Sequence, residues 1–252
     1  MTEELYYYEV APLRIVRAGS STFTYASSAR LNIGQIVTIE VGKKIVIGLI
    51  MATTTKPSYA TKPVSSVIES TPLPTSLVQL AIWLADYYTT PLATVLQTVL
   101  PRGLDKVRRT KEKQAHTSKR NRTTIVFNPD QKRAVTEINA SSDGTIILQG
   151  VTGSGKTEVY KELARQAVAG SKSVIVLVPE ISLTSQIISE FLYDFPNVVV
   201  THSHMTEAQR HTVWKQVLEA TEPQVVIGPR SALFMPVPDL GIIIIDEAHE
   251  PS

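Results

Sequence analysis

Gly150-Val-Thr-Gly-Ser-Gly-Lys-Thr157 fits the pattern G-x-x-x-x-G-K-[ST] at every fixed position. Working outward, the apolar run before it predicts a strand over 145–148, and the spacing after it predicts a helix over 156–169. A strand, a glycine-rich turn and a helix N-terminus together make a phosphate cradle. Glycines let backbone N–H groups converge on an anion without Cβ obstruction, and the helix start adds partial positive charge. Gly150, Val151, Thr152, Gly153, Ser154 and Gly155 form that loop. The Lys156 ammonium is placed to reach β- and γ-phosphates, and the Thr157 hydroxyl to ligate Mg²⁺. The ligand class is a nucleoside triphosphate with Mg²⁺.

Further out, short apolar strands alternate with helical periods. Strands are predicted at 174–178, 198–201, 224–227 and 241–245, with helices at 182–193 and 206–220. That alternation means an α/β lobe whose parallel sheet is buried on both faces. Asn128-Pro129-Asp130-Gln131 reads as a helix start, with a capping side chain, a proline at the first position and a Gln three residues on. Ile242-Ile-Ile-Ile245 runs into Asp246-Glu247-Ala248-His249. Asp246 ends a buried strand, where open α/β sheets gather ligands, and is the second candidate for the Mg²⁺ shell. Glu247 is the candidate to position an attacking water, giving hydrolysis rather than transfer. Lys156, Asp246 and Glu247 are thus the catalytic candidates.

Residues 5–50 have a different texture, with short alternating runs at 6–10, 23–25, 36–41 and 45–50 punctuated by glycines. They predict a small antiparallel β unit. Residues 52–75 read as loop with one strand at 64–68. Ser76 is placed to cap an amphipathic helix carrying Leu77, Leu80, Ala81, Leu84 and Tyr88 on one face. The domain expectation is a β-rich unit at 1–100, a basic linker at 101–124 and the α/β lobe at 125–252.

The net charge of +2 hides a strong asymmetry. Residues 102–122 hold nine Lys/Arg against Asp105 and Glu112, while residues 123–252 are net acidic. The basic segment is either a solvated tether or a phosphate contact for nucleic acid. With no cysteine, disulfides and thiolate zinc sites are excluded. His202, His204 and His211 have no converging ligand set around them, so no zinc is expected. Met1-Thr2-Glu3-Glu4 is acidic where a signal peptide needs positive charge, and the apolar runs are strand-sized. The expectation is a cytoplasmic protein with no membrane partner.

Taken with their neighbours, these motifs resemble a known family. Gly150 to Tyr160, Val178-Pro-Glu-Ile181, Leu183-Thr184, His202-Ser203, Ile227-Gly228 with Arg230-Ser-Ala-Leu-Phe234, and Leu240-Gly241 leading into DEAH are similar to the first motor lobe of superfamily-2 helicases of the PriA type. Phe23-x-Tyr25, Gly42-Lys43 and Ile82-Trp83-Leu84-Ala85-Asp86-Tyr87-Tyr88 with Pro91 extend the resemblance to the N-terminal part. It implies a RecA-like lobe behind a small 3′-end DNA-binding domain. The implied activity is an ATP-dependent 3′-to-5′ DNA helicase of replication restart, using ATP and Mg²⁺. The implied partners are forked DNA with a 3′ leading-strand end, single-stranded DNA, single-strand-binding protein and other primosome proteins.

By the same resemblance, Gln131 lies near the adenine, and Pro179, Thr184, Arg230 and Ser231 line the single-strand track. Phe23, Thr24, Gly42 and Lys62 form the 3′-end pocket, with Tyr25 in the strand core. Three positions depart from the family pattern: Ala248 for a second Glu, Pro229 for Thr, and Thr24 for Asp. The Thr24 change implies weaker 3′-end recognition. The family's winged-helix domain does not fit into 101–124. Its second motor lobe, arginine finger and cysteine-rich module do not occur within these 252 residues. The expectation for this stretch alone is fork-DNA and ATP binding without turnover.

Overall fold

Five strands close into a barrel at the N-terminal end of the chain: β1 (Tyr6–Pro12), β2 (Phe23–Ser27), β3 (Ile36–Val41), β4 (Lys44–Thr54) and β5 (Lys62–Glu69), in the order β1-β2-β5-β3-β4. The computed structural model describes residues 4–15, 20–104, 126–141, 144–151, 153–179 and 186–248. Thr152, Thr184, His249 and nearly all of the basic segment lie outside those residues.

The barrel forms because its strands alternate. Tyr8, Val10, Tyr25, Val37, Ile39, Val46 and Ile50 point inward into one core. Tyr8 is fully buried, and its hydroxyl accepts from the Leu31 N–H at 2.7 Å, so its polar end is satisfied. Closure leaves no long unpaired strand edge. β3 and β4 join through Gly42-Lys43 with Val41 opposite Lys44. This is a two-residue hairpin whose first loop residue, Gly42, takes the left-handed φ of 63° that such turns favour. The predicted antiparallel unit is therefore a closed barrel, and one of its pairings, β2 with β5, is parallel.

Two helices follow, α1 (Thr75–Tyr87) and α2 (Leu92–Val99). The N-cap of α1 is Pro74 rather than Ser76, with no side-chain cap. Leu77, Val78 and Ala81 are its buried residues, whereas Tyr88 is exposed. Contacts divide the chain into two units. The first comprises residues 1–110, 205–219 and 234–236, and the second the remainder. Helix α6 (Glu207–Leu218) thus counts with the first unit. Within that unit Lys215 Nζ reaches both carboxylate oxygens of the buried Glu69, at 2.9 and 3.1 Å.

The second unit holds α3 (Pro129–Ala140), α4 (Lys156–Ala169), β6 (Ser173–Leu177), α5 (Gln186–Asp194), β7 (Val198–Val200), β8 (Val225–Gly228) and β9 (Leu240–Ile245). Its four strands pair in parallel in the order β7-β8-β6-β9. Val174, Val176, Val225, Ile227 and Ile244 pack against Tyr160, Ala164, Phe191 and Phe195 of α4 and its neighbours. The capping box at α3 is present, with Asn128 and Gln131 each bonding the other's backbone N–H.

Two expectations fail here. Residues 145–148 form no strand and pair with none of β6 to β9. Leu148 instead anchors it by packing on the helical core, while Ile147 is exposed. Nor is the sheet covered throughout. β9 is an edge strand, and the side chains of Ile243 and Ile245 are exposed.

Candidate nucleotide and DNA sites

All four strands of the second unit are parallel, so the segments after β6, β8 and β9 leave one edge of the sheet. Pro179 follows β6, Arg230 and Ser231 follow β8, and Asp246 follows β9. Arg230 and Ser231 are exposed and open a short 3₁₀ turn, Arg230–Phe234, started by the Ala232 N–H bonding the Pro229 carbonyl at 2.7 Å. The Asp246 N–H donates to the Leu177 carbonyl at 2.9 Å, which extends the β9–β6 ladder one step and fixes the backbone of the aspartate. Glu247 then takes φ of 49°, a left-handed conformation rare for a side-chain-bearing residue and frequent at functional turns.

The glycine-rich loop enters α4 through Gly153 and Gly155, at φ of 78° and 81°. The left-handed φ at Gly155 favours glycine, and a Cβ there would lie 2.3 Å from the Gln131 amide nitrogen, so Gln131 would have to give up its place beside the loop. Gln131 accepts from the Asn128 N–H and donates to the Gly155 carbonyl at 3.2 Å. Its amide therefore ties α3 to the loop. Lys156 Nζ folds over the loop to the Gly150 and Val151 carbonyls, at 2.7 and 3.3 Å, and Thr157 sits half-buried in the first turn of α4.

One link between these halves is invisible in any short motif. Tyr160, one turn into α4, donates its hydroxyl to Asp246 Oδ1 at 3.3 Å. Burial first, and then the neighbouring Asp246 and Glu247 charges, push the phenol up to about 12, so it stays protonated and keeps donating. Behind it, Lys161 is almost fully buried and surrounded by Glu158 at 2.8 Å, Asp194 at 3.1 Å and Glu190 at 3.5 Å. Burial alone would lower this ammonium. Hydrogen bonds to Glu158 and Asp194 outweigh it and raise the lysine above its ordinary range. The cation thus pins α4 to α5.

In the barrel, Phe23, Thr24, Gly42 and Lys62 line one cleft of about 520 Å³. Phe23 also packs against the barrel core, which holds its ring in place. Lys62 Nζ bonds Glu40 Oε1 at 2.9 Å and the Gly42 carbonyl at 2.8 Å, leaving one of its three hydrogens for a ligand. Tyr25 is buried as the strand reading requires, its hydroxyl donating to the Glu40 carbonyl. Two lining residues, Glu9 and Tyr59, escaped the sequence reading because they reach the cleft from other elements.

The family model for the DEAD/DEAH box helicase matches residues 128–252, and that for the PriA 3′DNA-binding domain (3′BD) matches residues 14–101. Replication restart protein PriA of Rickettsia felis is 36% identical over 228 residues, 88% of this chain and 34% of the relative. That of Helicobacter pylori is 32% identical over 261 aligned residues, 98% of this chain and 38% of the relative. That of Synechocystis sp. is 39% identical over 181 residues, 68% of this chain and 21% of the relative. The chain belongs to the PriA family. It spans about a third of the length of the first two of these relatives and matches their N-terminal portion. The helicase match implies a RecA-like P-loop fold with a parallel sheet, and the lobe has such a sheet. The PriA 3′DNA-binding domain match falls on the β-rich unit, from just after β1 to just after α2. No helix among the described residues is long and apolar enough to cross a membrane.

Proposed function

We propose that this chain is the fork-recognising and ATP-binding portion of a 3′-to-5′ DNA helicase of replication restart. The observation that carries the reading is the pairing, on one chain, of a phosphate-cradling loop tied by Tyr160 to the DEAH aspartate with a barrel cleft in the PriA 3′DNA-binding-domain region. The loop suits a triphosphate because its glycines hold left-handed turns and its lysine already folds over the carbonyl rim. Thr157 and Asp246 would hold Mg²⁺, which supplies charge neutralisation on the phosphates when bound. Lys156 contributes the fixed cation, Gln131 the wall on the nucleoside side, and Glu247 the acceptor that orients a water. Pro179, Arg230 and Ser231, leaving the same sheet edge, support contact with single-stranded DNA.

The cleft carries Glu9 and Glu40 against Lys62. That balance is unsuited to tracking a run of phosphates and suits one terminal nucleotide, with Phe23 under its base. Stacking on an aromatic contributes about 1–3 kcal/mol per base. A fork with a free 3′ leading-strand end is therefore expected to bind about tenfold or more tighter than a fork lacking that strand. Phe23→Ala is expected to erase the difference while leaving binding to the second fork unchanged. Equal wild-type affinity for the two forks, measured by fluorescence anisotropy, would refute the 3′-end reading.

A further inference from the structure

Glu9 stands directly opposite Thr24 across the β1–β2 ladder, so the two side chains share one face of the barrel wall. A bulge in the pairing of β1 with β4 falls between Glu9 and Val10, the kind of irregularity that re-aims a side chain beside a site. Thr24 donates its hydroxyl to Glu9 Oε1 at 2.7 Å, and the Tyr59 hydroxyl lies 2.8 Å from the same Thr24 oxygen. A threonine hydroxyl has one hydrogen. That hydrogen goes to the carboxylate, so Tyr59 donates to Thr24 and the chain runs Tyr59 to Thr24 to Glu9. The donors of this wall are spent internally, and what remains toward the cleft is acceptors: lone pairs of Tyr59 and the carboxylate of Glu9. Lys62, which stands across from Tyr25 in the β2–β5 ladder and lines the same cleft, offers its one remaining donor.

We infer that Glu9 is the specificity-determining anion of the cleft, selecting a nucleotide end that presents a hydrogen-bond donor and rejecting one that ends in phosphate. The inference rests on the 3′-end reading above. It revises the expectation drawn from Thr24 alone. A neutral hydroxyl at that position does not leave the cleft without an anion, because the neighbouring strand brings one to the same place. β1 lies ahead of the residues that match the 3′DNA-binding-domain model, so the match does not assign the residue. The donor is the terminal 3′-hydroxyl or a base N–H, and both chemistries face the same acceptor wall.

The test uses the whole chain and short single-stranded oligonucleotides with a 3′-hydroxyl, 3′-dideoxy or 3′-phosphate end. Wild type is expected to favour the 3′-hydroxyl over the 3′-phosphate by about tenfold or more, since like charges face each other in the phosphate complex. Glu9→Gln keeps the shape and removes the charge. It is expected to compress the preference to within about threefold, chiefly by gaining 3′-phosphate affinity. Thr24→Val breaks the hydrogen-bond chain but keeps the anion, so it is expected to bind more weakly overall and still reject the phosphate. In wild type, a 3′-dideoxy end that binds as poorly as the phosphate places the donor on the sugar. One that binds like the hydroxyl places it on the base. An undiminished preference in Glu9→Gln overturns the role of Glu9 and leaves the 3′-end reading intact. Equal compression in Glu9→Gln and Thr24→Val overturns it as general disruption of the barrel. Wild-type indifference to all three ends, together with no effect of Phe23→Ala, overturns both.

Discussion

Replacing Lys161 by methionine is expected to destabilise the lobe by about 3–5 kcal/mol, the cost of leaving buried carboxylates without their cation. The side chain is about 1% exposed, and Glu158, Glu190 and Asp194 around it are between 10% and 19% exposed, so water cannot take over its role. Arg165 reaches Asp194 only at 3.8 Å and is half exposed, which makes it a poor substitute. Urea unfolding of wild type and Lys161→Met measures the difference. Removing the carboxylates together with the lysine is expected to cost much less, because isosteric apolar replacement of a whole buried ion network is often near neutral. The pH dependence has a definite sign. Lys161 is raised in the folded state, so its contribution is fully present below the ordinary lysine value of 10.5 and is lost as pH climbs through the higher folded value. Wild type and Lys161→Met are therefore expected to converge in stability only above about pH 10.5. A difference of less than about 1 kcal/mol at neutral pH would show that the cluster is not the joint between α4 and α5.

Lys156→Ala is expected to weaken binding of a fluorescent MgATP analogue by about ten- to a hundredfold, the worth of one hydrogen bond to a charged group, about 1.5–3 kcal/mol. Lys156 bonds only loop carbonyls, so its removal leaves the Lys161 cluster and the α4 core untouched. The effect is expected in nucleotide affinity, with the unfolding midpoint of the nucleotide-free protein nearly unchanged. Equal affinity in the two proteins at equilibrium would remove the assignment of the loop.

The contrast between these two lysines shows what the sequence made legible. Lys156 belongs to a local motif of eight consecutive residues, and the helix after it starts at Lys156 as read, with Gly153 and Gly155 in left-handed turns. The Asn128–Gln131 capping box was legible for the same reason. Lys161 showed only its i, i+3 partner Glu158. Glu190 and Asp194 come from another helix and carry no local signature. Tyr160 and Asp246 are 86 residues apart, and Glu9 meets Thr24 only because β1 and β2 take one register. Strand pairing is a non-local choice, and it decides which face holds which side chain. The run at 145–148 is strand-like in composition yet pairs with none of β6 to β9, and pairing is again the choice that a local pattern does not specify. Helix α2 escaped notice because its eight residues, apolar at five positions, are too short for a clear period.

The proposed function requires two separate ligand sites on one chain, a nucleotide site at the P-loop and a 3′-end site in the barrel. Amide hydrogen exchange tests it most directly, since it reads every segment of the whole chain at once. The exchange would be followed in the protein alone, with a non-hydrolysable MgATP analogue, and with a short oligonucleotide ending in a free 3′-hydroxyl. The nucleotide is expected to slow exchange in the segments around Gly155–Thr157 and Asp246 and to leave the barrel unchanged. The oligonucleotide is expected to slow exchange around Phe23–Tyr25, Gly42 and Tyr59–Lys62. Protection of neither region by its ligand, or protection of the barrel by nucleotide alone, would contradict it.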